Sequence, residues 1–300
     1  MKKTTKRIFC LLMTLAMSLS LVTPAFALDS FEAGTNVIET EPYNEYDYIC
    51  ALRNASVAQL HAEGITVQES ISAINEFEAA FDLRSTLSDD ELKDLGYSSE
   101  AIQLLRRYAN GEELSTDEMR AATATCSGSI QLQYFSGRKV SVVYRWTWSM
   151  CPTVQKTDAA AMRWVVADPN GTRIEDILCS FKNAYVTYYR GDEVTYTRNA
   201  TFQAINSFDA VNAQFPMSYA GYGKIGCIKI TITLPDNVNN TINSIKFAAK
   251  YGHTLSSSAA PTLSVGLPWS LSITFTQSES VVQRLADCKV RVSSSGIEKI

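Results

Sequence analysis

The side chains that could do chemistry are few. Histidine occurs twice, as His61 and His253. A serine or cysteine nucleophile needs a base beside it. His253, which follows Tyr251-Gly252 at an expected strand end, is the better placed of the two. Cys151, next to Pro152, is the thiol it would activate, but no local signature joins the pair, and the even cysteine count argues that Cys151 is bridged instead. His61 lies in an acidic helical stretch and reads as a solvated or partly packed side chain. Carboxylate pairs can cleave glycosides without histidine. Asp158, Asp168, Glu175, Asp176, Asp192 and Glu193 are available, and their spacing picks out no pair. The stretch Asp168-Pro-Asn-Gly-Thr-Arg-Ile-Glu175 echoes a calcium loop, but Arg173 stands sixth, where glycine is needed. A plain turn is expected there. No metal-ligand spacing, nucleotide loop or cofactor motif is found, so no catalytic, cofactor or metal residue is assigned and no cofactor is expected.

Two recognition-like features have plainer readings. Arg190-Gly191-Asp192 spells the tripeptide that integrins read, in a place where a hairpin turn is required and Gly-Asp is ordinary turn chemistry. Trp146 and Trp148 share a strand face, as a sugar platform would demand. That face also carries Val140, Val142 and Tyr144, which is the composition of a core. Trp269, after Pro268, is the better candidate for an exposed aromatic.

The compartment follows from the N-terminal residues. Lys2, Lys3, Lys6 and Arg7 precede an apolar run, Ile8 to Val22, and Ala25-Phe26-Ala27 supplies the small residues of a signal-peptidase site. The run of about 15 residues is short of the roughly 20 that span a bilayer. A signal peptide over residues 1–27 and a secreted, extracellular chain from Leu28 are expected. Outside the signal peptide six cysteines remain: Cys50, Cys126, Cys151, Cys179, Cys227 and Cys288. An even count in an oxidising compartment leads to the expectation of at least one disulfide among them.

The elements that must position these groups divide near Thr123. Residues 28–43 read as a flexible leader. Residues 44–122 read as an acidic helical region, with 20 acidic and 6 basic residues counted from Leu28. One helix is expected from Tyr46 to Ala62, with Ile49, Leu52, Val57 and Leu60 inward. T-x-x-E and S-x-x-E boxes at Thr66, Ser88 and Ser115 open further helices. The Thr66 helix should turn Ile71, Ile74, Phe77 and Phe81 inward. Ser98 caps a helix carrying Ile102, Leu105 and Tyr108, and Gly64, Gly96 and Gly111 act as stops. Residues 123–300 hold 11 acidic and 17 basic residues, and the apolar period there changes to two. Val140 to Trp148, Ile228 to Leu234, Ile245 to Tyr251 and Leu271 to Phe275 alternate apolar with polar. Each strand then has one solvated face. The expected fold class is α+β: an N-terminal helical segment followed by an antiparallel β-sandwich.

Leu95-Gly-Tyr-Ser-Ser-Glu-Ala-Ile102, Trp146-Thr-Trp-Ser149 with Pro152 and Asp158, and Lys250-Tyr-Gly-His253 resemble stretches of uncharacterised secreted proteins of Gram-positive gut and soil bacteria. The resemblance implies location and architecture and brings no activity with it. The sequence therefore favours a non-enzymatic extracellular binding or interaction module. Its expected partner is an anionic cell-envelope polymer, a carbohydrate or an extracellular protein, with no nucleic acid and no transmembrane segment after the signal peptide. Two alternatives stay open: a carboxylate-dependent cell-wall or carbohydrate hydrolase, and a secreted toxin or pore-forming protein.

Overall fold

The computed structural model describes residues 36–174, 177, 179–203, 209–234, 236, 241–256, 262–265, 273–276, 282–284 and 288–300. The expected signal peptide and its cleavage site, Glu175, Asp176, Trp269, Leu271 and the side chain of Cys288 lie outside the described residues. Residues 35–300 form one compact unit.

The helices among the described residues are α1 (Glu45–Asn54), α2 (Val57–Ala62), α3 (Val67–Ser85), α4 (Asp89–Asp94), α5 (Ser99–Ala109) and α6 (Thr116–Ala121). The three boxes read from sequence all form. At α3, for example, Thr66 N donates to Glu69 Oε2 at 2.7 Å, while Glu69 N donates to Thr66 Oγ1 at 3.2 Å. Ser98 caps α5 as expected. A fourth box, Ser56 with Gln59, splits the single helix expected from Tyr46 to Ala62. Ala55 and Ser56 turn extended there, because the Ser56 side chain takes the Gln59 N–H that would otherwise begin a new turn unpaired. The split leaves Val57 exposed, although it was expected inward. On α3 the inward stripe is Ser70, Ala73, Phe77 and Phe81. Relative to expectation its first turns are rotated by one residue, and Ile71 faces solvent.

The strands are β1 (Val37–Glu39), β2 (Tyr43–Asn44), β3 (Thr125–Phe135), β4 (Lys139–Trp148), β5 (Thr157–Ala167), β6 (Arg173–Ile174), β7 (Cys179–Arg190), β8 (Glu193–Asn199), β9 (Thr201–Gln203), β10 (Ala210–Pro216), β11 (Tyr222–Thr233), β12 (Ser244–Thr254), β13 (Thr262–Val265), β14 (Ile273–Thr276), β15 (Val282–Arg284), β16 (Cys288–Ser293) and β17 (Gly296–Lys299). They build two main sheets. The first has the order β1-β3-β4-β11-β7-β8, with β2 also on β3. The second has the order β17-β16-β12-β5-β10-β9, with β15 on β12 and β6 on β5. Every pairing in both is antiparallel. Residues 36–43, read as leader, thus supply β1 and all but one residue of β2.

Alternation places the core between the sheets. Val140, Val142, Tyr144, Trp146 and Trp148 of β4 and Ile228, Ile230 and Ile232 of β11 face Ile245, Phe247, Ala249 and Tyr251 of β12 and Met162, Trp164 and Val166 of β5. Trp146 packs against Phe215 and Tyr251 of the opposite sheet, each with centroids at 5.3 Å. Each such aliphatic or aromatic side chain contributes about 1.5–3 kcal/mol by burial. The helices join the same buried cluster through Ile49, Phe77, Phe81, Leu92 and Leu105.

One expectation fails in the second sheet. Its outer face was to be solvated, yet Ala159, Ala161 and Arg163 of β5 and Ala248 and Lys250 of β12 are buried. Strand β14 of the separate β13–β14 hairpin packs against both β5 and β12. A covered sheet needs small or aliphatic residues on both faces, and the alanines at 159, 161 and 248 meet that need.

Candidate functional site

The two groups that sequence reading could not pair, His253 and the carboxylates, meet in the interior. His253 is the last residue but one of β12, with its side chain fully buried. Its Nδ1 lies 2.9 Å from Asp158 Oδ2, at the start of β5, and its Nε2 lies 3.4 Å from Glu45 Oε1, in the first turn of α1. Asp158 also accepts from Tyr251 OH at 2.6 Å and from Thr254 N at 2.9 Å. Trp148 Nε1 donates to Tyr251 OH at 3.1 Å. Glu45 accepts from Thr153 N, Thr153 Oγ1 and Ala124 N at 2.9–3.2 Å. Arg84 of α3 donates to the carbonyls of Cys151, Pro152 and Thr153 and to Tyr97 OH. Burial alone pushes the imidazole down. The charge and hydrogen bond of Asp158, followed by Glu45, outweigh burial and carry it up to about 10. His253 is therefore a cation at neutral pH, and with Arg84 it balances the two carboxylates. Buried charges are tolerated when paired and hydrogen-bonded in this way.

This arrangement is a structural staple between the helices and both sheets. Each nitrogen of His253 faces a carboxylate, so the imidazole is not poised as the base of a Cys151–His253 pair. Burial pushes the Cys151 thiol up to about 11, which disfavours the thiolate that such chemistry requires. Glu45 and Arg84 are the charged members of the cluster that sequence reasoning missed. For Glu45 the available signal was an acidic residue directly after Asn44, itself the cap of α1.

The expected disulfide is not found among the described residues: Cys50, Cys126, Cys151, Cys179 and Cys227 are all free. Register explains the sheet cysteines. Cys227 stands opposite Arg145, which stands opposite Ser129, so Cys126 is two strands and three residues away. Cys179 pairs with Ile232, five residues along β11 from Cys227. Strand spacing of about 4.8 Å and a rise of about 3.3 Å per residue put both pairs beyond the roughly 7 Å that a disulfide spans. These cysteines instead fill space as small apolar groups.

The remaining candidates resolve simply. Trp146 and Trp148 are core. Asp168 Oδ1 accepts from the backbone of Asn170 and Thr172, which makes the calcium-like stretch an Asx turn. The Arg190-Gly191-Asp192 turn joins β7 to β8 and leans on α4, with Gly191 N donating to Asp94 O at 2.6 Å. His61 is exposed. Asp192, in the turn, and Glu193, the first residue of β8, are adjacent and exposed, while Asp158 is internal.

An open groove of about 610 Å³ lies on the outer face of the second sheet, at the end away from His253. Two rows of cross-strand neighbours form its bed. Arg291, Lys246 and Val165 stand side by side on β16, β12 and β5, and Ser293, Ser244, Ala167 and Arg173 continue on to β6. Each wall is a hydrogen-bonded turn. One is the Asx turn at Asp168 to Gly171; in the other, Ser293 Oγ meets Ser295 Oγ at 2.7 Å. Arg291 pairs with Glu298 at 2.9 Å, and Arg173 approaches Asp209 at 3.6 Å. Lys246 has no ion-pair partner among the described residues. The lining consists of Lys246, Arg173, Arg291, Asn243, Ser244, Ser293, Ser294 and Ser295 with Val165, Val166, Ala167 and Gly171. These groups donate hydrogen bonds and positive charge. Among the described residues the lining includes no carboxylate, imidazole or thiol.

No known protein family matches the sequence, and no curated protein does. Several solved structures match in part, including the following three. A collagen-binding domain from a Staphylococcus aureus adhesin is 8% identical over 41% of this chain and 82% of its own, with a TM-score of 0.26. The collagen-binding subdomain of the Enterococcus faecalis surface protein ACE is 6% identical over 54% of this chain and 92% of its own, at 0.29. AvmM, which catalyses macrocyclisation in alchivemycin A biosynthesis, is 9% identical over 53% of this chain and 86% of its own, at 0.23. At these scores neither ligand nor activity passes from them to this chain.

Proposed function

We propose that the chain is a secreted, non-enzymatic binding module that holds an anionic polymer of the cell envelope in the groove at Lys246. Secretion rests on the positive, apolar and Ala-Phe-Ala pattern of residues 2–27. The binding reading is carried by one observation: Lys246 and Arg291 stand directly opposite each other at the base of the groove. Like charges at such a position destabilise a sheet by about 0.2–1 kcal/mol. Glu298 compensates Arg291 only. A bound phosphate or carboxylate would take the place of the missing counter-charge, with the serine hydroxyls as further donors.

The test uses chain beginning at Leu28 and purified teichoic acid, with amylose as the neutral control. Titration at low salt should show binding to teichoic acid alone, and the affinity should fall as salt rises. The double substitution Lys246→Glu, Arg291→Glu should weaken binding at least about tenfold, since a few charge-assisted hydrogen bonds of about 1.5–3 kcal/mol each are removed. Undiminished binding by that variant, with an unchanged melting temperature, would refute the groove as the site. Release of reducing ends from cell-wall material by the same preparation would instead favour the hydrolase alternative.

A further inference from the structure

The geometry points to a second binding site, separate from the groove: Tyr196, Tyr219 and Arg198 form a surface that takes the ring of a sugar bearing an acidic group. Strand β8 is the free edge of the first sheet, and every one of its residues is exposed. Tyr196 stands opposite Tyr188, and Arg198 opposite Val186. Both β7 partners are buried on the inner face. Tyr196 and Arg198 therefore continue that face beyond the end of the core, and Tyr196 is left 47% exposed there. Tyr219 comes from the turn between β10 and β11. Its ring lies 5.4 Å from Tyr196 and 5.6 Å from Tyr188, and the Arg198 guanidinium sits 4.9 Å above it.

The turn that presents Tyr219 is fixed. Tyr188 OH donates to Pro216 O at 2.7 Å, Tyr219 N to Gly221 O at 3.0 Å and Gly223 N to Met217 O at 2.9 Å. Gly221 passes so close to the Tyr189 carbonyl that any Cβ there would collide with it. Tyr219 is nevertheless 56% exposed and Tyr196 47%. Scattered exposed aromatics are ordinary. Tyr134 and Phe181 are as exposed, and no ring or cation contacts either of them among the described residues. The cluster on β8 differs by convergence. Two half-exposed rings and a cation with no carboxylate partner among the described residues occupy one pre-organised spot. Aromatic faces pack against the C–H face of a sugar ring, the phenol and guanidinium groups offer hydrogen bonds, and the unbalanced Arg198 selects an acidic substituent.

The test uses the same chain from Leu28 and three probes: oligogalacturonate, neutral maltohexaose and inorganic polyphosphate. Oligogalacturonate should shift the ring resonances of Tyr196 and Tyr219, and the other two should leave them in place. Tyr196→Ala and Tyr219→Ala should each weaken oligogalacturonate binding about tenfold, the effect of one stacking contact of about 1.4 kcal/mol. Tyr219→Phe, which keeps the ring, should stay within about threefold, and Arg198→Gln should abolish the preference over maltohexaose. The Lys246→Glu, Arg291→Glu variant should retain these tyrosine shifts, so failure of the groove and failure of this site are told apart. Equal shifts with polyphosphate, or full affinity in a folded Tyr196→Ala, Tyr219→Ala variant, would overturn the proposal.

Discussion

His253 links parts of the chain that lie far apart in sequence. Asp158 is the second residue of β5, Glu45 begins α1, and the imidazole between them is buried with both. Replacing it by glutamine leaves two internal carboxylates with Arg84 as the nearby cation, so His253→Gln should cost about 3–5 kcal/mol, the usual penalty for removing one member of a buried ion pair. Urea unfolding at pH 7 measures it, and a loss below about 1 kcal/mol would mean that the charges are not coupled. The pH dependence has a definite sign. The folded value, about 10, lies above the ordinary 6.5. The stabilisation is therefore complete below about pH 6.5 and is lost as pH rises through about 10. Melting temperatures of the parent should fall over that window, and those of His253→Gln should fall less. The sequence displayed both histidines and one of the two relevant acids, Asp158, but pairing them requires the sheet register, which brings Asp158 and His253 together from 95 residues apart.

Elements were legible where their signals are local. A capping box occupies four consecutive residues, so the boxes at Thr66, Ser88 and Ser115 could be read directly, and each marks a real helix start. The Ser56 box was hidden because its fourth residue is Gln59 and because Val57 and Leu60 extend an apolar period across it. Thr66→Ala should remove about 0.5–2 kcal/mol of stability. Its urea midpoint checks this, and full stability in the variant would mean that packing alone sets the start of α3. Strand alternation was equally readable, since a period of two fixes which side chains share a face. What covers the outer face was not readable, because that depends on where the β13–β14 hairpin lands. Gly226 illustrates a contact between elements. It stands opposite Trp146, whose indole lies across it, so an added Cβ would meet the ring. Trp146 is also held by Phe215 and Tyr251 and has little room to retreat. Gly226→Ala should destabilise by about 1–3 kcal/mol and alter the near-UV circular dichroism of the tryptophans. An unchanged spectrum at full stability would show that the ring moves freely.

At the scale of the whole molecule, the charge split and the change of apolar period near Thr123 suggest two parts, and the contacts across that boundary decide how they behave. Exposed pairs such as Lys156 with Glu76 at 2.9 Å and Arg190 with Asp94 at 3.9 Å join the acidic helices to the basic strands, but contribute only about 0–1 kcal/mol each. The buried contacts matter more. Glu45 accepts from Ala124 and Thr153 and faces His253, Arg84 binds three carbonyls of the 151–153 loop, and Ala122, Thr123 and Ala124 are themselves buried. Among the described residues, none of those lining the Lys246 groove comes from the helices, so the helices do not mask it by contact. Helices and strands should therefore unfold together. The four tryptophans all follow Thr123 in the chain, so their fluorescence reports on the strands, while the 222 nm dichroism reports mainly on the helices. In urea the two curves should share one midpoint, as two-state unfolding requires. A helical signal lost at clearly lower urea, with the tryptophan signal intact, would instead make residues 44–122 a separable domain. Limited proteolysis at the exposed residues 111–113 would then release a folded fragment of strands.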